Sequence, residues 1–492
     1  MYKVVIIGAG IIGSSIARIL SKYDNLKVTL IEKEIDVGWG VTKANTGIIH
    51  PGHEDDPETY PLRAELCIKG NSMWRDWTKD LDIPVKWPGE LMLARSEEEL
   101  SILEKYMEIG KKNGVTDLNI INRDDLREME PEVCRDIQYA LWAPSAGLIA
   151  PWEAVIALGE NAAENGVDIR LDTTVEDIEI LDGKIDCVVT DGGTIDADIV
   201  INSAGLVADE VSSMVGINNF KITPRKGEYY LFDEDVKEKP RRILHLTPTE
   251  KTKGVYAVQT IEGNLMLGPT AEELPEECKD ERSTTPEGLK YVWENSKNIM
   301  EHMPTKDRVS KTFAGLRPEP PDGRYIIKSY HEPWGFINAA GIRSPGLTAA
   351  PAIAHKIKDL LIEELHVELI EKENWNPFRR RLIRFSELCD GEKKELIKKN
   401  EDYGRVVCMC KEVTKGEILE AVDRIHSLGG EVSLDGVKFR TLALFGFCQG
   451  SYCRARIVRI LSDALGIPMW EVAIREKGTE YALGDIKSLW KD

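Results

Sequence analysis

The first 33 residues constrain this 492-residue chain more than any other stretch. Val4-Val5-Ile6-Ile7 is an apolar, β-branched run of the kind found in strands buried on both faces. Gly8-Ala9-Gly10-Ile11-Ile12-Gly13 follows, and residues 14–20 carry helical spacing. A second strand pattern, 27–31, ends at Glu32-Lys33. Strand, glycine turn, helix, strand and acid stand in the order that a dinucleotide fold uses. Gly8 permits the tight turn, Gly10 lets backbone approach a pyrophosphate, and Gly13 lets the helix pack on the strand. The helix start offers N–H groups and a positive dipole end to phosphates. Glu32 is placed to accept hydrogen bonds from a ribose diol, and an acid there repels a 2′-phosphate. Ile12 and Lys33 are the expected neighbours of these contacts. The motif alone does not separate FAD from NAD.

Bulk composition sets outer bounds. Lys and Arg number 64 against 84 Asp and Glu, a net charge of −20 that argues against nucleic acid or an anionic membrane as a general partner. An anionic substrate then needs a local cationic pocket. No apolar run approaches the ~20 residues that span a bilayer, and no signal-peptide pattern precedes the first strand. A cytoplasmic protein is expected, at most peripheral to a membrane through a partner. Of nine cysteines, five (Cys67, Cys134, Cys187, Cys278, Cys389) are scattered singly, which is no secreted disulfide framework.

Past Glu32 runs a glycine-rich loop, 38–52, of ligand-binding character. Helix patterns follow at 62–81, 97–113, 123–130 and 151–165, with strands at 84–94. Segments 167–170, 174–181 and 187–190 read as a three-strand meander turning at Asp182-Gly183 and Gly192-Gly193. A buried strand at 198–202 runs into Ser203-Ala204-Gly205, and 221–269 is strand-rich, which suggests an antiparallel sheet. A helix is expected at about 286–303, a turn at Gly315-Leu316-Arg317-Pro318, a strand at 334–338 and a helix ending near Glu364. Residues 365–400 are charged and irregular, as in a linker.

The glycine turn, Asn45-Thr46-Gly47-Ile48-Ile49-His50, Ser203-Ala204-Gly205, Gly315-Leu316-Arg317-Pro318 and Gly341-Ile342-Arg343-Ser344-Pro345-Gly346-Leu347-Thr348 occur in this order. Over about 1–365 the set resembles the FAD-dependent oxidoreductases of the D-amino-acid-oxidase superfamily. Within it, the loop and Gly268-Pro269-Thr270 are most similar to the anaerobic glycerol-3-phosphate dehydrogenase A-subunit and L-2-hydroxyglutarate oxidase families. The resemblance implies an α/β plus α+β architecture. A Rossmann-like FAD-binding part (about 1–83, 145–215, 310–365) joins an antiparallel-sheet substrate part (about 84–144, 216–309) that covers the flavin ring. It places Gly8, Gly10, Gly13 and Glu32 on the ADP half, and Thr42, Asn45, Thr46 and Gly47 along the pyrophosphate and ring. Val175 falls at the adenine end and Gly205 near the cofactor. Gly341, Ser344, Gly346, Leu347 and Thr348 fall at the ribityl and pyrimidine end, where a helix start stabilises charge on the reduced ring.

The resemblance also makes Arg317 the anchor for the substrate's anionic group, because a guanidinium holds carboxylate or phosphate in a bidentate pair. Arg343 is a second candidate cation. His50 is the candidate base for a substrate hydroxyl, with a packing or tethering role on the flavin as the alternative; His53 and Tyr256 are weaker candidates on the substrate side. One departure stands out. Glycerol-phosphate members of the family carry an arginine just after the HxG of this loop, whereas His50-Pro51-Gly52 is followed by His53-Glu54-Asp55-Asp56. Arg63, Lys226 or Arg343 must then replace it.

Cys408-Met409-Cys410 is followed, after 37 residues, by Cys448-Gln449-Gly450-Ser451-Tyr452-Cys453. Two close pairs of thiols form a metal-binding pattern that fits a 2Fe–2S cluster or structural zinc. It resembles the bacterioferritin-associated-ferredoxin type of 2Fe–2S domain, here 401–492 after a 366–400 linker, and CxC is tighter than the usual zinc CxxC. Thr414-Lys415-Gly416-Glu417 is a capping box, and Cys448 and Cys453 bracket the start of a helix expected over 452–465. The expected function is a flavin-dependent dehydrogenase for a small anionic alcohol. Glycerol 3-phosphate ranks first, L-2-hydroxyglutarate or a related hydroxy acid second, and an amino acid third. Electrons would pass through the cluster to a partner protein or quinone-linked subunit. An electron-transfer subunit without a substrate of its own is the alternative of another class, and the complete second lobe argues against it.

Overall fold

The computed structural model describes residues 1–248, 254–482 and 484, so the end of the expected 401–492 segment lies outside the described residues. Tyr2–Ile7 is flanked in parallel by Leu26–Ile31 and Ile199–Asn202, with Val4 opposite both Val28 and Ile199. Trp334–Ala340 and Asp168–Arg170 extend the sheet on either side. Strand alternation explains the double burial. Val4 and Ile6 enter the core shared with helices Ile11–Leu20, Pro151–Glu164 and Gly346–Glu363, whereas Val5 and Ile7 pack on the other face with Val188, Val200, Val211 and Phe336. Asp168–Arg170 does not join the expected meander. It returns from the Pro151–Glu164 helix as a crossover and pairs in parallel with Leu26–Ile31, while the meander is Val175–Leu181, Lys184–Thr190 and Gly193–Asp196.

The second large sheet is built around Thr223–Phe232, paired antiparallel with Val309–Glu319 over almost their whole lengths. Leu265–Gly268, Tyr256–Gln259 and Ile243–Leu246 continue it, and Glu90–Ala94, Tyr139–Ala143 and Asn119–Asn122 complete it. One rung departs from the antiparallel expectation: Ile243–Leu246 runs parallel to Glu90–Ala94. Gly315 to Pro318 lies within the Val309–Glu319 strand and is not a turn, because every one of its residues has a partner on Thr223–Phe232. The helix expected to reach about residue 303 is Pro286–Ser296.

Helices Lys415–Ser427, Leu434–Thr441 and Arg454–Leu465 enclose a separate core with Val407, Ile418, Ile425, Val437, Ile457 and Leu461. Thr414 and Glu417 form the expected capping box. This unit docks on the first lobe through the buried pair Asp36–Arg440 (2.5 and 2.9 Å) and through aromatic contacts of Trp39 with Phe439 and of Trp152 with Phe445, both 5.5 Å between ring centres. The expected irregular linker is a strap. Arg379 and Arg384 are buried against Glu160 (2.6 Å) and Glu153 (3.3 Å), and residues 390–399 form a helix. These two arginines are taken up by partners on the Pro151–Glu164 helix, while charges such as Arg380, Lys394 and Glu395 stay exposed.

Candidate active site

Between the two large sheets lies a cavity of about 750 Å³. Its floor is the glycine turn. A Cβ on Gly13 would sit 1.9 Å from the Gly8 carbonyl oxygen, so only glycine lets the Ile11–Leu20 helix rest on the first strand. Gly8, Gly10, Ile12, Glu32, Lys33, Thr42, Asn45, Thr46, Val175, Gly205, Gly341, Ser344, Gly346 and Leu347 line the cavity. Three expected contacts do not. Gly13 packs against the strand, Gly47 (φ +71) faces the Ile149 carbonyl, and Thr348 is fully buried. The Thr348 hydroxyl instead accepts the His50 N–H at 2.9 Å and so fixes the loop. The turn's amides are also less free than expected, since Thr42 Oγ1 takes the Ile11 N–H and Glu32 takes those of Ala9 and Glu34. Desolvation pushes the Glu32 carboxyl up to about 7. A carboxyl on the cavity wall, beside a cradle that any Cβ would fill, fits the adenosine end of a dinucleotide. Glu32, Val175 and the glycine turn would hold that end, and the start of the Gly346–Glu363 helix would hold the other.

Arg225, Arg317 and Arg343 form the opposite wall. Strand register sets Arg225 directly across from Arg317. Two like charges in such a pair repel unless an anion lies between them. The partners of Arg317 among the described residues are neutral, the Thr270 carbonyl (3.4 Å) and Tyr229. Arg343 is paired with Glu319, which also lies 3.9 Å from Arg225, so its charge is partly taken. Burial, together with Arg343 and Arg317, lowers the Arg225 guanidinium from its ordinary value. Of the expected replacement cations, Arg63 lines the cavity but is held by Asp55 at 2.6 Å. Lys226 alternates to the other face of its strand, where it meets Glu228 (3.6 Å) and Glu272 (3.2 Å). Sequence reading missed Arg225. Its only signal was its odd–even phase against Lys226, which needs the ladder to interpret.

His50 lies on the cavity with Nε2 3.4 Å from the Ser344 hydroxyl and Nδ1 3.4 Å from Glu54. Tyr256 also lines the cavity and donates its hydroxyl to the other oxygen of Glu54 at 3.1 Å. Burial first, and then Glu54 and Glu90, raise the Tyr256 hydroxyl well above its ordinary value, so it is a donor and not a base. His53 is not on the cavity; it is buried 3.6 Å from Glu90, and desolvation lowers it. In the sequence Glu54 stands out only as part of the acidic run after Gly52, and its i+4 spacing from His50 is the signal for this contact.

The four cysteines come together as two pairs. Cys408 accepts a hydrogen bond from Cys453, which brings its thiol down to about 6 with help from the N–H groups of Leu444, Lys411 and Cys410. Cys410 pairs with Cys448, whose sulfur receives the N–H groups of Tyr452 and Gly450. Amides converging on sulfur favour thiolates. No three of these sulfurs lie within 4.8 Å of one another. A tetrahedral zinc, with Zn–S near 2.3 Å, needs four sulfurs about 3.8 Å apart. Two separate pairs fit two irons with two thiolates each. No helix among the described residues is long and apolar enough to cross a membrane.

Fold and cavity define a flavoprotein oxidoreductase with an appended cysteine centre. Residues 3–360 match the family described as FAD dependent oxidoreductase, and residues 406–463 match the BFD-like [2Fe-2S] binding domain. The chain belongs to the FAD-dependent oxidoreductase family, and this resolves FAD from NAD. It is 42% identical over 488 residues to a glycerol 3-phosphate dehydrogenase of Caloramator mitchellensis, covering 99% of each chain. It is 30% identical over 285 residues to the mitochondrial L-2-hydroxyglutarate dehydrogenase of Bos taurus, covering 55% of this chain and 61% of that one. The dithionite-reduced L-alpha-glycerophosphate oxidase from Mycoplasma pneumoniae with FAD bound superposes with a TM-score of 0.71 at 30% identity, over 77% of this chain and 98% of that one.

Proposed function

We propose that the protein oxidises the secondary alcohol of glycerol 3-phosphate to a ketone and relays the electrons through its cysteine centre to a partner. The observation that carries this reading is the cluster of three guanidinium groups, Arg225, Arg317 and Arg343, on one cavity, with the partners of Arg317 among the described residues neutral. Such a cluster suits a phosphate, which a guanidinium binds in bidentate fashion. The full-length similarity to a glycerol 3-phosphate dehydrogenase supports the same substrate.

The residues divide the work. Arg317 and Arg225 grip the phosphate and turn the carbinol carbon toward the flavin side of the cavity. Glu54, 3.4 Å from Nδ1 of His50, favours a proton on that nitrogen, which leaves Nε2 as the base for the substrate hydroxyl. Tyr256 holds the second oxygen of Glu54 and keeps that carboxylate in place. When bound, FAD supplies the hydride acceptor.

An anaerobic titration of the purified holoprotein tests the proposal. Glycerol 3-phosphate is expected to bleach the flavin absorbance with no partner present. Bleaching by 2-hydroxyglutarate or an amino acid but not by glycerol 3-phosphate overturns the substrate. Bleaching by none of them overturns the dehydrogenase reading in favour of an electron-transfer subunit.

A further inference from the structure

Exposed apolar side chains and arginines flank the cysteine centre. The two cysteine pairs are not equivalent in depth. Cys408 and Cys453 are buried in the helical core, whereas Cys410 and Cys448 are only partly covered. Beside these cysteines in sequence stand large apolar side chains that a folded domain would ordinarily bury. Met409, between Cys408 and Cys410, is 60% exposed; Phe447, before Cys448, is 76% exposed; Tyr452, before Cys453, is 52% exposed. Three such residues gathered at one redox centre mark an interaction surface and not scattered surface hydrophobicity.

The charge around them is the reverse of the molecule's. Against a net charge of −20, the stretch between Asp435 and Asp463 carries five cations (Lys438, Arg440, Arg454, Arg456, Arg459) and no acid, with Lys438 held by Asp435 at 3.4 Å. Arg440 is spent on Asp36 at the docking interface. Arg454, Arg456 and Arg459 are exposed on the helix that starts at the cysteines. Arg456 lies 4.0 Å over the Tyr452 ring, which ties the cationic rim to the apolar centre.

We propose that this patch docks a small acidic redox protein, which takes electrons one at a time at the Cys410–Cys448 side of the centre. The inference rests on the reading of that centre as an electron relay. Each encounter reduces the carrier by one electron, taken from the centre held by the four cysteines, and no atom is transferred. The other occupants fit less well. A second copy of this chain in a two-fold arrangement would set arginine against arginine. An anionic membrane would meet three apolar side chains on a strongly acidic molecule, and the exposed face of the Arg454–Leu465 helix carries no large apolar residue. A transient redox encounter needs only a small interface, steered by complementary charge and weakened by salt.

Binding of a plant-type ferredoxin, a strongly acidic carrier, to the immobilised holoprotein tests this, with basic cytochrome c and phosphatidylglycerol vesicles as counter-probes. Ferredoxin is expected to bind, to weaken roughly tenfold between low and physiological salt, and to weaken about tenfold or more in Arg454→Glu/Arg456→Glu and in Phe447→Ser. The visible spectrum of each variant and its bleaching by glycerol 3-phosphate stay as in the parent. Equal binding of cytochrome c and ferredoxin overturns the proposal, as does unchanged ferredoxin binding in the variants. Vesicle binding without ferredoxin binding, or a Phe447-dependent dimer in sedimentation, overturns it as well. If glycerol 3-phosphate fails to bleach the flavin while salt-sensitive ferredoxin binding holds, the substrate reading falls and the docking surface stands.

Discussion

The two walls of the central cavity reach their chemistry by opposite routes. The cofactor wall is written in one short run: glycine turn, helix and Glu32 are neighbours in sequence and stay neighbours in space. The arginine wall is assembled by pairing Arg225 with Arg317, residues 92 positions apart that meet through the register of one ladder. The first wall is a local rule and the second a consequence of topology. The difference suggests where each wall is fragile. The cofactor wall fails by steric intrusion, the arginine wall by loss of charge.

Steric intrusion has the larger effect. Gly13→Val places a side chain on the Gly8 carbonyl, and the helix must lift from the strand. The expected outcome is a protein purified without flavin absorbance, read from its visible spectrum; full flavin occupancy would show that the turn does not support the cofactor. Next comes the docking pair. Arg440→Ala strands Asp36 as a buried, unpaired carboxylate and should cost about 3–5 kcal/mol, seen as a lowered denaturant midpoint of the C-terminal unit.

Third is Arg317→Ala. Losing a bidentate, charge-assisted contact of about 3–4 kcal/mol lowers kcat/KM for glycerol 3-phosphate by roughly 10²–10³-fold. Arg343→Ala, whose guanidinium already serves Glu319, should lower it less than about tenfold. An equal loss in the two variants would break the distinction drawn between them.

The legibility of the chain follows the same division. The strands of the parallel sheet, the glycine cradle, the capping box at Thr414 and each close pair of cysteines are readable, because each is a local pattern within one turn or one strand. Arg225, the pairing of Arg343 with Glu319 and the burial of His53 were not, since nothing local tells which face of a strand or loop meets the cavity. Glu54 was read as a departure from the family pattern, and only its position against His50 gives it a role. The strap at 366–400 reads as a charged, irregular linker, and nothing local marks Arg384 and Arg379 as buried. Their partners, Glu153 and Glu160, lie more than 200 positions away.

The smallest expected effect probes the cofactor wall from its electrostatic side. Desolvation raises the folded-state Glu32 carboxyl to about 7 from an ordinary 4.5. Between those values the folded protein binds more protons than the unfolded chain, so its stability falls as pH rises from about 4.5 to about 7, by of order 2–3 kcal/mol in the flavin-free form. Glu32→Gln removes the titration and should flatten that stretch of the pH–stability profile. Flavin should sharpen the contrast, because ribose hydroxyls that donate to the carboxylate favour its charged form and pull the value back down. Unfolding midpoints measured with and without flavin across this pH range give the test. A parent profile already flat without flavin would mean that Glu32 is ionised in the empty cavity, and that the cofactor wall, like the arginine wall, holds its charge ready before any ligand arrives.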